Sequence, residues 1–364
     1  TNITQLKGVF LGADAFNQDL NTWDVSEVTR MDQLFKNAGS FNGNIDNWQV
    51  QKVTHLSETF TNARNFARDI SGWQTSKLKF MNWTFAGTNS FNTNINGWDV
   101  EEVVNMNNMF NGAIIFNQPL DQWKTYKVNT LSNTFQNAKA FNQELNNWDT
   151  SEVTNMRATF AGALEFNKDL DNWDTSKVTN MRDTFNGAAK FNKNLDDWDT
   201  SEVTDMLQTF QGAAKFNNGE AALVSNTLSW DMSKVQRTQS MFFNAAEFNS
   251  NLSGWDLGEV YGMQWMFRNS NWNNGASAGV STTLSWNVEK VQNMKGMFRD
   301  NSAFNANISA WNPLSVLALY TTFHNATAFN NGFPAGSAGT ATISNTLDWN
   351  CLLYTSDAAD ESCS

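Results

Sequence analysis

Tryptophan recurs at a fixed interval of 25 residues, at Trp23, Trp48, Trp73, Trp98, Trp123, Trp148, Trp173 and Trp198. Phenylalanine keeps the same period, from Phe16 and Phe41 through Phe141, Phe166 and Phe191 to Phe216. A period of roughly 20–50 residues means one unit stacked many times, because each unit alone leaves its apolar face exposed. The later tryptophans, Trp230, Trp255, Trp286, Trp311 and Trp349, follow at spacings of 32, 25, 31, 25 and 38. The extra residues fall in the Gly/Ala/Ser-rich segments 217–227, 273–283 and 330–346, each opening on Asn-Asn-Gly. That tripeptide is a turn signal, so the segments read as loops bulging from one edge of the array. About 13 coils over residues 1–350 make one repeat domain without linkers. Ile3, Leu6 and Phe10 match the apolar stripe of later coils, so the chain is expected to begin inside a coil, as part of a longer protein.

One coil shows what each unit contains. In the coil that opens at Phe141, Leu145, Trp148 and Thr150 suit a short strand, with Trp148 and Thr150 on alternate positions. Val153, Met156 and Phe160 fall at i, i+3 and i+7, the stripe of two helical turns. Ser151 precedes that stripe and is placed to cap it, and Gly162-Ala163 suits a helix exit. The expected coil is therefore strand, turn, short helix and loop. The fold class is an α/β repeat solenoid with a parallel sheet on one face and short helices on the other. Trp148, Trp173, Trp198, Phe141, Phe166 and Phe191 are expected to form its core.

A column of charges supports this register. Four residues after each tryptophan come Glu27, Lys52, Lys77, Glu102, Lys127, Glu152, Lys177, Glu202, Lys234, Glu259 and Lys290. Their signs alternate at every step but one, as expected if equivalent residues lie ~4.8 Å apart in stacked coils. An exposed pair contributes only ~0.2–1 kcal/mol, so the column reports register more than it supplies stability.

The unit Phe-Asn-x-x-Leu-x-x-Trp-Asp-x-Ser-x-Val-Thr-x-Met-x-x-x-Phe-x-x-Ala is clearest in residues 141–163, 166–188 and 191–213. It resembles the repeat of BspA-like leucine-rich-repeat surface proteins, the bacterial surface protein 26-residue repeat, and the likeness covers nearly all of residues 3–350. The resemblance implies a right-handed, leucine-rich-repeat-like solenoid on a secreted or surface-anchored protein used in adhesion or in protein or glycan binding. Extracellular or cell-surface localisation follows from that kinship alone. The family has no shared catalytic residues to carry over. The alternative is a structural surface or filament component without a specific ligand. Residues 351–364 break the pattern; Tyr354-Thr-Ser-Asp-Ala-Ala-Asp-Glu resembles a translated sequencing adapter, so this tail, with Cys351 and Cys363, is set aside as non-native.

Composition narrows the function. The formal charge of −12 argues against a nucleic-acid-binding surface. No apolar run is long enough to span a membrane. With His55 and His324 the only histidines, most His-centred catalysis is excluded, and no nucleophile–base pair recurs in the coils. The chain is expected not to be an enzyme.

The residue after each tryptophan supplies the candidate binding column: Asp24, Asp99, Asp149, Asp174, Asp199, Asp231 and Asp256. On a strand with tryptophan inward, this column faces outward on the sheet, while Lys and Glu occupy the helix side. No cofactor is expected; calcium is the candidate ion, and a protein or glycan, cationic for preference, the candidate partner. The plainer reading is that these Asp cap the following turn. The Asn after the first Phe, such as Asn142, Asn167 and Asn192, suits a ladder satisfying backbone groups between coils. Thr150, Thr175 and Thr200 share their column with Val25, Val50 and Val100, which marks it as core-facing. Self-association, through solenoid ends or lateral packing, is a further expectation.

Overall fold

The computed structural model describes residues 3–222 and 226–332. Trp349, loop residues 333–346 and the tail 351–364 with both cysteines lie outside the described residues.

Coils stack in parallel register. Backbone bridges join Gln5 to Arg30, Arg30 to His55 and His55 to Phe80, and continue by the same repeat, with one gap between Asn105 and Thr130, to Asn293 and Ala318. The bridging residue lies seven places after each tryptophan, inside the segment expected to be helical. The segment Leu145–Thr150, expected to pair as a strand, instead turns, with Trp148 N–H donating to Leu145 C=O at 3.0 Å. Among the described residues there is no helix. The named strands are β1 (Thr282–Thr283) and β2 (Ala306–Asn307), which pair in parallel where an inserted loop returns to the stack.

The apolar stripe is buried as the spacing requires, but by a different backbone. Met156, Ala158, Phe160 and Gly162 donate their N–H groups to Asn180, Arg182, Thr184 and Asn186 of the next coil at 2.7–3.0 Å. The alternate N–H groups of Thr159, Ala161 and Ala163 close four-residue β-turns within the coil. A helix would spend all these donors locally and leave none for stacking. The alternation requires a left-handed residue in every second turn: Ala158 has φ 52° and Gly162 φ 70°. These are the φ signs of type II turns. Ser151 accordingly caps no helix; its N–H enters a turn closed by Asp149.

Three aromatic columns fill the core. Trp148 and Trp173 stack at 6.5 Å between ring centroids, Phe135 and Phe160 at 5.7 Å, and Phe141 and Phe166 at 6.0 Å. Phe160 also lies on Phe166, which opens the next coil, at 4.0 Å. From Trp48 to Trp311 each in-phase indole N–H reaches back one coil, as Trp148 Nε1 does to Leu120 C=O at 3.0 Å. The buried polar end of each tryptophan is thus paired, as such a site demands. Trp148, Trp173, Trp198, Phe141, Phe166 and Phe191 are all buried. Tryptophans outside the period divide: Trp272 takes a phenylalanine's place in the core, while Trp83 is 38% exposed and Trp265 half-buried.

Candidate functional site

The Asp column is built into the turns. Asp149 Oδ1 accepts from Ser151 N–H at 3.0 Å and from Ser151 Oγ at 2.6 Å. Asp174 does the same with Ser176, and Asp24, Asp99, Asp199, Asp231 and Asp256 each accept the N–H two residues on. Hydrogen bonds from Ser176, Ser201 and Ser233 hold the carboxyls of Asp174, Asp199 and Asp231 below the ordinary aspartate value. The same turn forms around Asn287, whose Oδ1 accepts Glu289 N–H at 3.1 Å. Among the described residues, no three His, Cys, Asp or Glu side chains are grouped so as to hold a metal ion.

The Lys/Glu column lies three residues beyond the Asp column on the same edge, not on an opposite helical face. It resolves into discrete pairs: Lys52–Glu27, Lys127–Glu102, Lys177–Glu152, Lys234–Glu202 and Lys290–Glu259, at 2.5–2.7 Å. Lys177 and Lys234 also act electrostatically on Asp174 and Asp199. The acidic stripe therefore runs beside cations and is not an isolated negative field.

Asparagine forms a ladder, interrupted at Ala67 and unbroken from Asn92 onward. Asn142 N–H donates to Asn117 Oδ1, Asn167 to Asn142 and Asn192 to Asn167, each at 2.9 Å. The ladder passes the inserted loops through Asn217, Asn249, Asn273 and Asn305. Asn218, Asn274 and Asn331, the second residue of each Asn-Asn-Gly, adopt positive φ and accept from Leu195, Leu252 and Ile308 N–H of the preceding coil. The loops thus leave the stack through polar clamps.

Two features are not anticipated by the columns above. Thr59, Thr84, Thr134, Thr159, Thr184 and Thr209 are buried, and each hydroxyl sits between two backbone carbonyls, as Thr159 Oγ1 does 2.7 Å from Met156 O and 3.1 Å from Leu131 O. Their place directly before the core Phe was the available clue. The second feature is a surface along the bridge segment, where side chains nine, ten and thirteen residues after the tryptophan reach solvent in many coils, though not in all. There Lys295 Nζ lies 5.4 Å from the Trp265 ring and 4.6 Å from that of Tyr320. Arg268 covers Phe243 at 5.3 Å, and Asp300 takes Arg299 at 3.4 Å and Arg268 at 3.7 Å. Hydrogen bonding from Asn325 holds the Asp300 carboxyl below its ordinary value, with both guanidiniums adding to the effect. On the same surface His55 hydrogen-bonds Thr54 and packs on Phe80, and burial lowers its pKa; His324 lies 4.0 Å from Asp300.

These coils define a class: a tandem-repeat solenoid whose units are joined by turns and backbone bridges. The chain belongs to the family described as Mycoplasma protein of unknown function, DUF285, which matches residues 1–88, 65–173, 159–278 and 276–344. No curated protein matches it. Among solved structures it is similar to "Crystal structure of TLR13-ssRNA13 complex", at 10% identity and a TM-score of 0.19, over 84% of this chain and 48% of that one. The chain thus spans about half the length of that protein, and a likeness at this level carries no argument. No helix among the described residues is long and apolar enough to cross a membrane.

Proposed function

We propose that this chain is a non-enzymatic repeat scaffold that binds a protein or glycan partner at a cell surface or outside the cell. The observation that carries this reading is the division of labour among its columns. The core aromatics, the Asn ladder, the buried Thr and the Asp turns are all satisfied within the stack, coil after coil. What remains is a long outward surface of repeated spacing, the form that suits many weak contacts in parallel. The resemblance of the repeat unit to BspA-like leucine-rich-repeat surface proteins supports the adhesive role and the location.

The test is a glycan array and a pull-down with the folded chain. Saturable binding to a protein or glycan class is the expected outcome. Absence of any ligand, together with lateral assembly seen by light scattering, would favour a structural surface component instead.

A further inference from the structure

The scaffold columns barely change along the chain, whereas the outward positions of the bridge segment change at almost every coil. Five residues after the tryptophan, every coil from Val28 to Val316 carries Val except at Leu78. Ten residues after it, coils carry Gln33, Glu58, Trp83, Asn108, Asn133, Ala158 and Asp183 in turn, of which Asn108 and Ala158 are buried and the others reach the surface. These residues sit on the backbone segment that hydrogen-bonds to the next coil and closes turns within its own. Constant scaffold with varied side chains on one face is the arrangement of a recognition surface, because variation there costs the fold little.

We infer that the part of this face around Trp265, Lys295, Arg268 and Arg299 is a binding site for an acidic polysaccharide, one bearing carboxylate or sulfate groups. This rests on the binding role proposed above and names its ligand class. Charge is the first argument. Arg268 and Arg299 share the carboxylate of Asp300, and Lys295 has no acidic partner within 4.0 Å among the described residues. A chain of formal charge −12 thus concentrates unneutralised positive charge at one place. Lys295 is also held in place, between the Trp265 and Tyr320 rings, so little of its side-chain entropy remains to be lost on binding.

Shape is the second argument. Gly296 has φ 56°, and a Cβ there would come within 2.9 Å of Trp265 Cδ1. Its missing side chain lets the indole lie across the next coil. Trp265 stays half-buried and Tyr320 is 50% exposed. Exposed ring faces carry negative quadrupole charge and accept the weakly positive C–H bonds of a sugar ring. Rings beside cations favour a sugar acid over an acidic peptide, which would use the cations and leave the rings idle.

The test measures binding of the full chain to hyaluronan (carboxylate), heparin (sulfate), neutral dextran and poly-glutamate, at two salt concentrations. Hyaluronan or heparin should bind at least tenfold more tightly than dextran and poly-glutamate, and binding should weaken with salt. Lys295→Met and the pair Arg268→Gln, Arg299→Gln should each weaken it tenfold or more, with melting temperature monitored. Trp265→Ala should do likewise; if it melts early, the Lys295→Met result decides. A variant with Asp149, Asp174 and Asp199 changed to Asn should bind unchanged. Equal binding of poly-glutamate overturns the polysaccharide assignment. Binding that survives Lys295→Met but fails in the Asp variant overturns this site and leaves the general binding role standing. No binding to hyaluronan or heparin overturns this site, and if the glycan array and the protein pull-down are also empty the general binding role falls with it.

Discussion

At the residue scale, each conserved-in-phase side chain carries two tasks. Trp148 fills core volume and also returns a hydrogen bond to Leu120 of the previous coil. Trp148→Ala is therefore expected to cost ~3–5 kcal/mol, combining a cavity with an orphaned carbonyl. Chemical denaturation measures it, and a loss below ~1 kcal/mol would contradict the stacked core. The Asp residues act differently. Because Asn287 makes the same turn as its Asp counterparts, changing Asp149, Asp174 and Asp199 to Asn should leave the melting temperature nearly unchanged at neutral pH. Acid should separate the two proteins. The Asp174 and Asp199 carboxyls are depressed in the folded chain, so their contribution is full above the ordinary aspartate range and is lost as pH falls below ~4. The Asn variant should show a shallower fall in stability over that window. Adding calcium to both proteins checks the ion: a rise in melting temperature confined to the unsubstituted chain would mean that the column binds it.

At the element scale, the apolar spacing in the sequence identified the inward residues and mistook their backbone. Val153, Met156 and Phe160 are all buried, yet a stripe at i, i+3 and i+7 is satisfied equally by a helix and by a run of turns that advance at the same rate. The missing information was the hydrogen-bond partner, which lies 24 residues away in the next coil. A partial clue existed. Gly87, Gly112, Gly162, Gly187 and Gly212 alternate in one column with Asn37, Asn62 and Asn137, and all have positive φ. Gly and Asn are the residues that tolerate the left-handed region. The companion position admits Ala158, Trp83 and Asp183 at positive φ, so it leaves no trace in composition. Two outcomes follow. Far-UV circular dichroism should lack the helical double minimum. Gly187→Ala should cost about 1–2 kcal/mol from φ alone, because its Cβ would meet Gly162 Cα at an ordinary 3.8 Å; thermal unfolding would show the shift.

At the scale of the whole molecule, stability resides in contacts between neighbouring coils. Each Lys–Glu pair joins two coils at an exposed edge, worth ~0.2–1 kcal/mol, so raising salt should change the melting temperature by only a few degrees. Reductant should leave it unchanged, since both cysteines, Cys351 and Cys363, lie beyond the last core coil described; a drop of more than a few degrees would show that they contribute.

The sequence by itself determined the stacking: a period of 25 with Trp and Phe at fixed phase admits one register, since any slip would place tryptophan opposite solvent-facing positions. It also located the first two loops and the Asn ladder, because insertions and polar columns keep their phase whatever backbone lies between them. Only the tertiary structure decided which backbone that is, and which outward columns share a face. The Asp and Lys/Glu columns, assigned to opposite sides, lie along one edge. Lys295, Trp265 and Tyr320, scattered over 56 residues of sequence, meet on another. The physical reason is that a periodic apolar pattern specifies what must be buried, while the direction of each remaining side chain depends on the sign of φ at two positions per coil and on hydrogen bonds between coils.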